Sequence, residues 1–140
     1  MSDLAIDSSV VAKWILPESD SAKAQEIITR AAGSSQRLVV LDLTFPEVAN
    51  AIWKRHRQQQ ITLLEATAFL AKLTRIPVVV EPAMGLLASA FEIATTYDRA
   101  VYDALFVALA QRTGTGITAD EPLFNSTHRK FPQVSLLRNM

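Results

Sequence analysis

Five short apolar runs, separated by helical patterns, constrain this chain more than any other feature. Leu4-Ala5-Ile6, Leu38–Leu41, Pro77–Val80, Gly116-Ile117-Thr118 and Val134–Leu137 are each too short to be a helix. Runs of this kind form strands buried on both faces, and strands alternating with helices build a parallel sheet covered on both sides. The expected fold is therefore α/β: a three-layer α/β/α sandwich around a central, mostly parallel five-stranded sheet. At 140 residues the chain is of ordinary size for one domain, and residues 1–140 are read as one.

The helices announce themselves by spacing and punctuation. Val10–Leu16 is closed by Pro17, and a second helix from about Ser19–Ser21 carries Ala24, Ile27, Ile28 and Ala31 before Gly33. Thr44 opens a helix reaching about Gln59, with Phe45, Val48, Ala49, Ile52 and Trp53 as its expected core stripe. Thr62 to Glu65 has the form of a capping box and starts another helix ending near Arg75. Residues 83–97 set Leu86, Leu87, Ala90, Ala94 and Tyr97 on one side, and a short helix follows near Glu121–Arg129.

The stretch from Tyr97 to Asp120 is the most informative. From Ala100 to Ala110 it is apolar almost all round, as a buried helix should be, yet it contains Asp103. A buried carboxylate is costly unless paired, hydrogen-bonded or bound to a cation. Arg99 lies four residues back but at or before the helix start, so the sequence offers Asp103 no partner within the helix. Asp103 is read as a metal ligand.

Three other acids fall near the same sheet edge. Asp7 and Asp120 each follow a strand, and Glu47 lies in the first turn after another. In open α/β sheets, ligands collect beyond the carboxyl ends of the strands where the strand order reverses. Each of the three also has an ordinary role available: Asp7 and Asp120 as N-caps, Glu47 as half of a capping box with Thr44. Four converging acids nevertheless repel one another unless their pKa values rise or a cation joins them. An all-oxygen donor set with no cysteine in the chain suits Mg²⁺ or Mn²⁺. Asp98 is read as a cap at the start of the helix carrying Asp103. His56 and His128 lack a spaced partner, and Asp3 and Asp42 are read as solvated.

Composition limits the partners. Fourteen basic residues balance fourteen acidic ones, so a nucleic-acid partner would have to meet a local patch rather than a global charge. Lys54-Arg55-His56-Arg57 is such a patch. About 100° per residue sets Asn50, Lys54 and Arg57 on the flank of Glu47, with Arg55 turned away. The N-terminus has neither the basic nor the apolar region of a secretion signal, and no apolar run reaches membrane-spanning length. A cytoplasmic protein with no membrane partner is expected. With four glycines there is no G-x-G-x-x-G and no P-loop. Ser9 stands where a haloacid-dehalogenase-like site needs aspartate, and Pro82 follows the third run where a receiver-like site needs its phosphoacceptor.

Four segments, AIDSSVVAKWILPE, PEVANAIWKR, AVYDALFVALAQRTG and TADEPLF, together resemble the PIN-domain ribonucleases. The resemblance is strongest to VapC-type toxins of type II toxin–antitoxin (VapBC) pairs, and it runs from about Leu4 to Leu137. It implies a PIN-like sandwich and a metal-dependent endoribonuclease with Asp7, Glu47, Asp103 and Asp120 as its acidic quartet. Ser9, Asn50 and Thr118 match the family's supporting polar positions. It further implies Mg²⁺ or Mn²⁺ as cofactor, RNA as substrate, a homodimer and inhibition by a VapB-type antitoxin. With no histidine placed for a 2′-hydroxyl route, attack by water leaving a 5′-phosphate is expected, with Asp103 or Asp120 accepting the proton. Two alternatives remain at this point: a housekeeping PIN nuclease for RNA maturation or repair, and a non-catalytic RNA- or partner-binding module whose acids only cap helices.

Overall fold

The structure is a computed structural model that describes residues 2–140. Its elements run β1 Asp3–Ile6, α1 Ser8–Ile15, α2 Ser21–Ser34, β2 Arg37–Leu41, α3 Thr44–Arg57, α4 Leu63–Leu73 and β3 Val79–Glu81. A 3-10 turn, Ala83–Leu86, leads into α5 Leu87–Tyr97, followed by α6 Val101–Thr113, β4 Gly116–Thr118, α7 Glu121–Thr127 and β5 Val134–Leu136. The five strands form one sheet in the order β3-β2-β1-β4-β5. Every pairing is parallel, so the sheet is wholly parallel rather than mostly so.

Side-chain alternation along the strands divides the interior in two. Leu4, Ile6, Leu38 and Val40 pack with α1–α4 on one face. Ala5, Val39 and Leu41 pack with α5 and α6 on the other. The chain builds outward from β1 to β2 to β3, then returns to add β4 and β5 on β1's opposite side. The order therefore reverses between β1 and β4, and a crevice is expected beyond their carboxyl ends.

Helix α6 reaches the sheet closely because β4 begins with glycine. A Cβ at Gly116 would stand 2.6 Å from Ala110 Cβ and 3.0 Å from Phe106 Cζ. Gly114, at φ 93°, ends the helix in the left-handed region open to glycine.

Several helix details differ from the sequence reading. Burial along α6 is continuous only from Ala104 to Ala110, and Tyr102 is 71% exposed. Trp53 is 50% exposed, so the stripe of α3 is narrower than expected, and Leu87 and Tyr97 are likewise exposed on α5. Gly33 lies within α2, which ends instead at left-handed Ser35. Asp98 does not start α6: at φ 54° it closes α5, and Ala100 occupies the position before α6. Apolar spacing locates a helix but says little about the width of its buried face or its first turn.

Candidate active site

Beyond the ends of β1 and β4 lies a pocket of about 300 Å³ whose lining includes Asp7, Glu47, Asp103 and Asp120. The four sequence-predicted acids thus arrive at one place from four separate segments. Ser9 and Tyr102 line it with them.

Asp7 follows β1 and occupies the N-cap position of α1, yet its side chain caps nothing. Its Oδ2 instead accepts hydrogen bonds from Ser9 Oγ at 2.6 Å and Thr118 Oγ1 at 2.8 Å. Those hydroxyls are oriented in turn, because Ser9 Oγ accepts from the Ala119 N–H at 2.9 Å and Thr118 Oγ1 from the Asp120 N–H at 3.0 Å. A hydroxyl has one proton to give. Both protons go to Asp7, which fixes the carboxylate. Loss of solvation still raises the Asp7 pKa; the two hydroxyls oppose the rise and the charge of Asp120 adds to it.

Glu47 belongs to no capping box. Helix α3 begins at Thr44 itself, Leu43 takes the N-cap position, and no side chain caps the turn. Although Glu47 is exposed overall, desolvation on its pocket side raises its carboxyl, and Asp7 and Asp103 raise it further. A hydrogen bond from the Ser8 side chain works against them.

Asp103 lies in the first turn of α6 rather than mid-helix, and it has a partner. Arg99 Nη2 donates to Asp103 Oδ2 at 2.9 Å, with the two side chains 24% and 37% exposed. The left-handed Asp98 and the Arg99 N–H bond to Ala94 O shape the turn that allows this. Arg99 precedes the helix, as the sequence reading has it, yet it is the partner that reading denied to Asp103. Asp120 is both a cap and a pocket residue: its Oδ1 accepts from the Leu123 N–H at 3.1 Å.

The remaining candidates stand further out. Thr118 is fully buried behind Asp7, whereas Asn50, Lys54 and Arg57 are exposed along α3 and do not line the pocket. Arg57 lies over the Trp53 ring, 5.4 Å from its centroid. Arg55 faces away and pairs with Glu18 at 3.3 Å. His56 and His128 lie against the carbonyls of Ile61 and Phe124 through Nδ1, apart from the acids. Asp3 is paired with Arg37, and Asp42 accepts from the Ala83 N–H, so neither is merely solvated. Sequence reasoning missed Tyr102 and Arg99; their adjacency to Asp103 at a helix start was the available signal.

The donor set is hard oxygen; the charge of Asp120 raises Asp7, and those of Asp7 and Asp103 raise Glu47, so a cation is electrostatically welcome. Among the described residues, no three acids stand close enough to enclose one ion unaided. That suits Mg²⁺, which keeps several waters and takes one or two carboxylates, better than a cation needing an all-protein cage.

Comparison with known proteins agrees with the fold. The family model "PIN domain" matches residues 4–129. The chain is 35% identical to Ribonuclease VapC3 of Pyrobaculum aerophilum over 134 residues, covering 94% of this chain and 96% of the relative. Among solved structures it resembles Mycobacterium tuberculosis VapC20, described as a sarcin–ricin loop cleaving toxin, with TM-score 0.63 and 17% identity. That match covers 89% of this chain and 95% of the other. It also resembles a chain of a toxin–antitoxin complex from Klebsiella pneumoniae at TM-score 0.61 and 16% identity, covering 96% and 97% of the two chains. The chain belongs to the PIN-domain family, as a VapC-type member.

Proposed function

We propose that this protein is a metal-dependent endoribonuclease and the toxin of a VapBC pair, working as one PIN domain. The observation that carries the reading is the convergence of Asp7, Glu47, Asp103 and Asp120 on one pocket at the switch point of a parallel sheet. Asp7, Asp103, Asp120 and Glu47 would hold Mg²⁺ or Mn²⁺. When bound, the ion supplies Lewis acidity toward the phosphodiester and makes water a competent nucleophile near neutral pH.

The chain's own groups do the rest. Ser9 and Thr118 hold Asp7 by Oδ2. Asp120, spending Oδ1 on the α7 cap, keeps Oδ2 to accept the proton released when water attacks phosphorus. The P–O3′ bond breaks, the 3′-oxygen takes a proton from solvent, and the 5′ end keeps the phosphate. Asp103 is the lesser candidate for that proton, because Arg99 already balances its charge. Asn50 supports the Glu47 flank of α3, and Lys54 and Arg57 on the same flank meet RNA phosphates beyond the pocket. The likeness to a chain of a toxin–antitoxin complex supports an antitoxin that covers the pocket, and exposed Met84, Leu87 and Phe91 support a homodimer.

The test is cleavage of single-stranded RNA with Mg²⁺, with Mn²⁺ and with EDTA, using the wild type and alanine variants at the four acids. Cleavage that needs metal and vanishes in every variant is expected. Cleavage undiminished by EDTA, or by loss of two of the acids, would sink the reading.

A further inference from the structure

We propose that Arg99 is the resident counter-cation of the acid pocket: it balances Asp103 in the metal-free protein and so sets how tightly a divalent ion is held. The inference rests on the pocket being a metal site, and concerns a residue outside its lining. Each of the three aspartates is held at one oxygen by a different kind of donor. Two hydroxyls hold Asp7 Oδ2, a backbone N–H holds Asp120 Oδ1, and the Arg99 guanidinium holds Asp103 Oδ2. Hydroxyls and amides orient a carboxylate without cancelling its charge. A guanidinium also cancels it.

The pair is built to yield. Arg99 reaches Asp103 through Nη2 alone rather than through the two-pronged fork typical of strong arginine–carboxylate pairs. Its Nε is buried without a hydrogen-bond partner among the described residues. The guanidinium is thus held chiefly by the charge of Asp103, and a dication arriving at that carboxylate competes for the same charge. Two effects of Arg99 on the ion oppose each other. Orienting Asp103 favours binding, but one short side chain has little rotamer freedom to lose. Coulomb repulsion disfavours binding, and a dication feels it twice as strongly as a monocation would. Repulsion wins, so Arg99 weakens metal binding.

The test measures Mn²⁺ affinity by the electron paramagnetic resonance signal of free Mn²⁺, on EDTA-stripped protein. Loss of the charge in Arg99→Gln is expected to tighten Mn²⁺ binding about three- to tenfold. Arg99→Lys, which keeps the charge, should stay within about twofold of wild type by the same reasoning. Metal-free Arg99→Gln should also melt below wild type, with the gap narrowing at saturating Mn²⁺. Arg99→Met, which keeps much of the stem, serves as a second neutral variant should Arg99→Gln fold poorly. Wild-type binding with neutral variants equal or weaker would overturn this inference alone, leaving Arg99 an orienting residue. A wild type that binds no Mn²⁺ at millimolar levels would remove the metal site itself, and the inference with it.

Discussion

Thr118 Oγ1 donates to Asp7 Oδ2 at 2.8 Å across 111 residues of sequence, joining the end of β4 to the end of β1. The bond crosses the point where the strand order reverses. Thr118 simultaneously accepts the N–H of Asp120, so one buried hydroxyl stands between two pocket acids and fixes the position of one against the other. A sheet edge that would otherwise be a row of free carbonyls becomes a defined acidic face.

Thr118→Val tests that link with little change of shape. It removes the donor to Asp7 and leaves the Asp120 N–H without its acceptor, at a threonine that is itself fully buried. Hydrogen bonds to charged groups contribute about 1.5–3 kcal/mol, and an orphaned N–H adds to the cost. Urea unfolding should show a loss of about 2–3 kcal/mol for the same reasons, with RNA cleavage falling by more than stability explains. A variant as stable and active as wild type would mean that Asp7 is held without Thr118.

The raised carboxyls give the metal-free protein a pH signature. Asp7 and Glu47 sit above their ordinary values of 3.8 and 4.5. As pH rises through those values the unfolded chain gives up its protons first, and the folded state loses stability until its own raised values are passed. The penalty is absent in acid and fully present above the folded pKa values. Asp7→Asn removes the share that belongs to Asp7 and keeps its contacts, since its amide oxygen can still accept from Ser9 and Thr118. The variant, measured in EDTA, should therefore gain on wild type as pH climbs from about 4 toward neutrality. Parallel stability curves for the two proteins would show that Asp7 is not raised.

What could be read from residues alone follows a physical divide. Strands such as Leu38–Leu41 are legible because burial on both faces demands an unbroken apolar run, and the run is local. The acids at strand ends are legible because the sheet's topology sends them to one edge. Trp53 and Tyr102 were misread because apolar spacing does not report how much of a helix face has a neighbour. The Arg99–Asp103 pair was missed for a subtler reason. It spans a helix boundary made by a left-handed residue, Asp98, and a non-glycine residue carries no mark of that conformation. The Thr118–Asp7 bond joins residues far apart in sequence, and family likeness marked Thr118 only as a supporting position, without its partner.

The basic end of α3 separates an aimed surface from a diffuse one. Arg55 is committed to Glu18 and to the Pro17 carbonyl, whereas Lys54 has no ion pair among the described residues. Lys54→Ala should weaken binding of single-stranded RNA in EDTA and lower the slope of log affinity against log salt by about 1. Arg55→Ala should leave that slope unchanged and cost a few tenths of a kcal/mol of stability, about what a partly exposed ion pair contributes. Equal slopes for the two variants would make the patch a general positive field.

Asp103→Asn should move stability in the direction opposite to Asp7→Asn, although both acids line one pocket. Each substitution removes a negative charge that its neighbours resist: Asp7 and Asp103 both raise Glu47. Asp7 has only neutral donors on it, so nothing positive is stranded when its charge goes. Asp103 has Arg99, whose Nε already lacks a partner, and an asparagine there leaves the guanidinium half-buried without a counter-charge. An isolated buried charge would cost several kcal/mol, and an exposed pair contributes under about 1. With the two side chains 24% and 37% exposed, the pair falls toward the exposed end, and the net loss in EDTA near pH 7 should be about 1 kcal/mol. The Arg99→Gln/Asp103→Asn double variant should recover part of that loss, because it strands no charge. Urea unfolding of the two single variants and the double decides between a paired acid and a lone one. A gain in stability for Asp103→Asn alone would mean that repulsion within the quartet outweighs the pair.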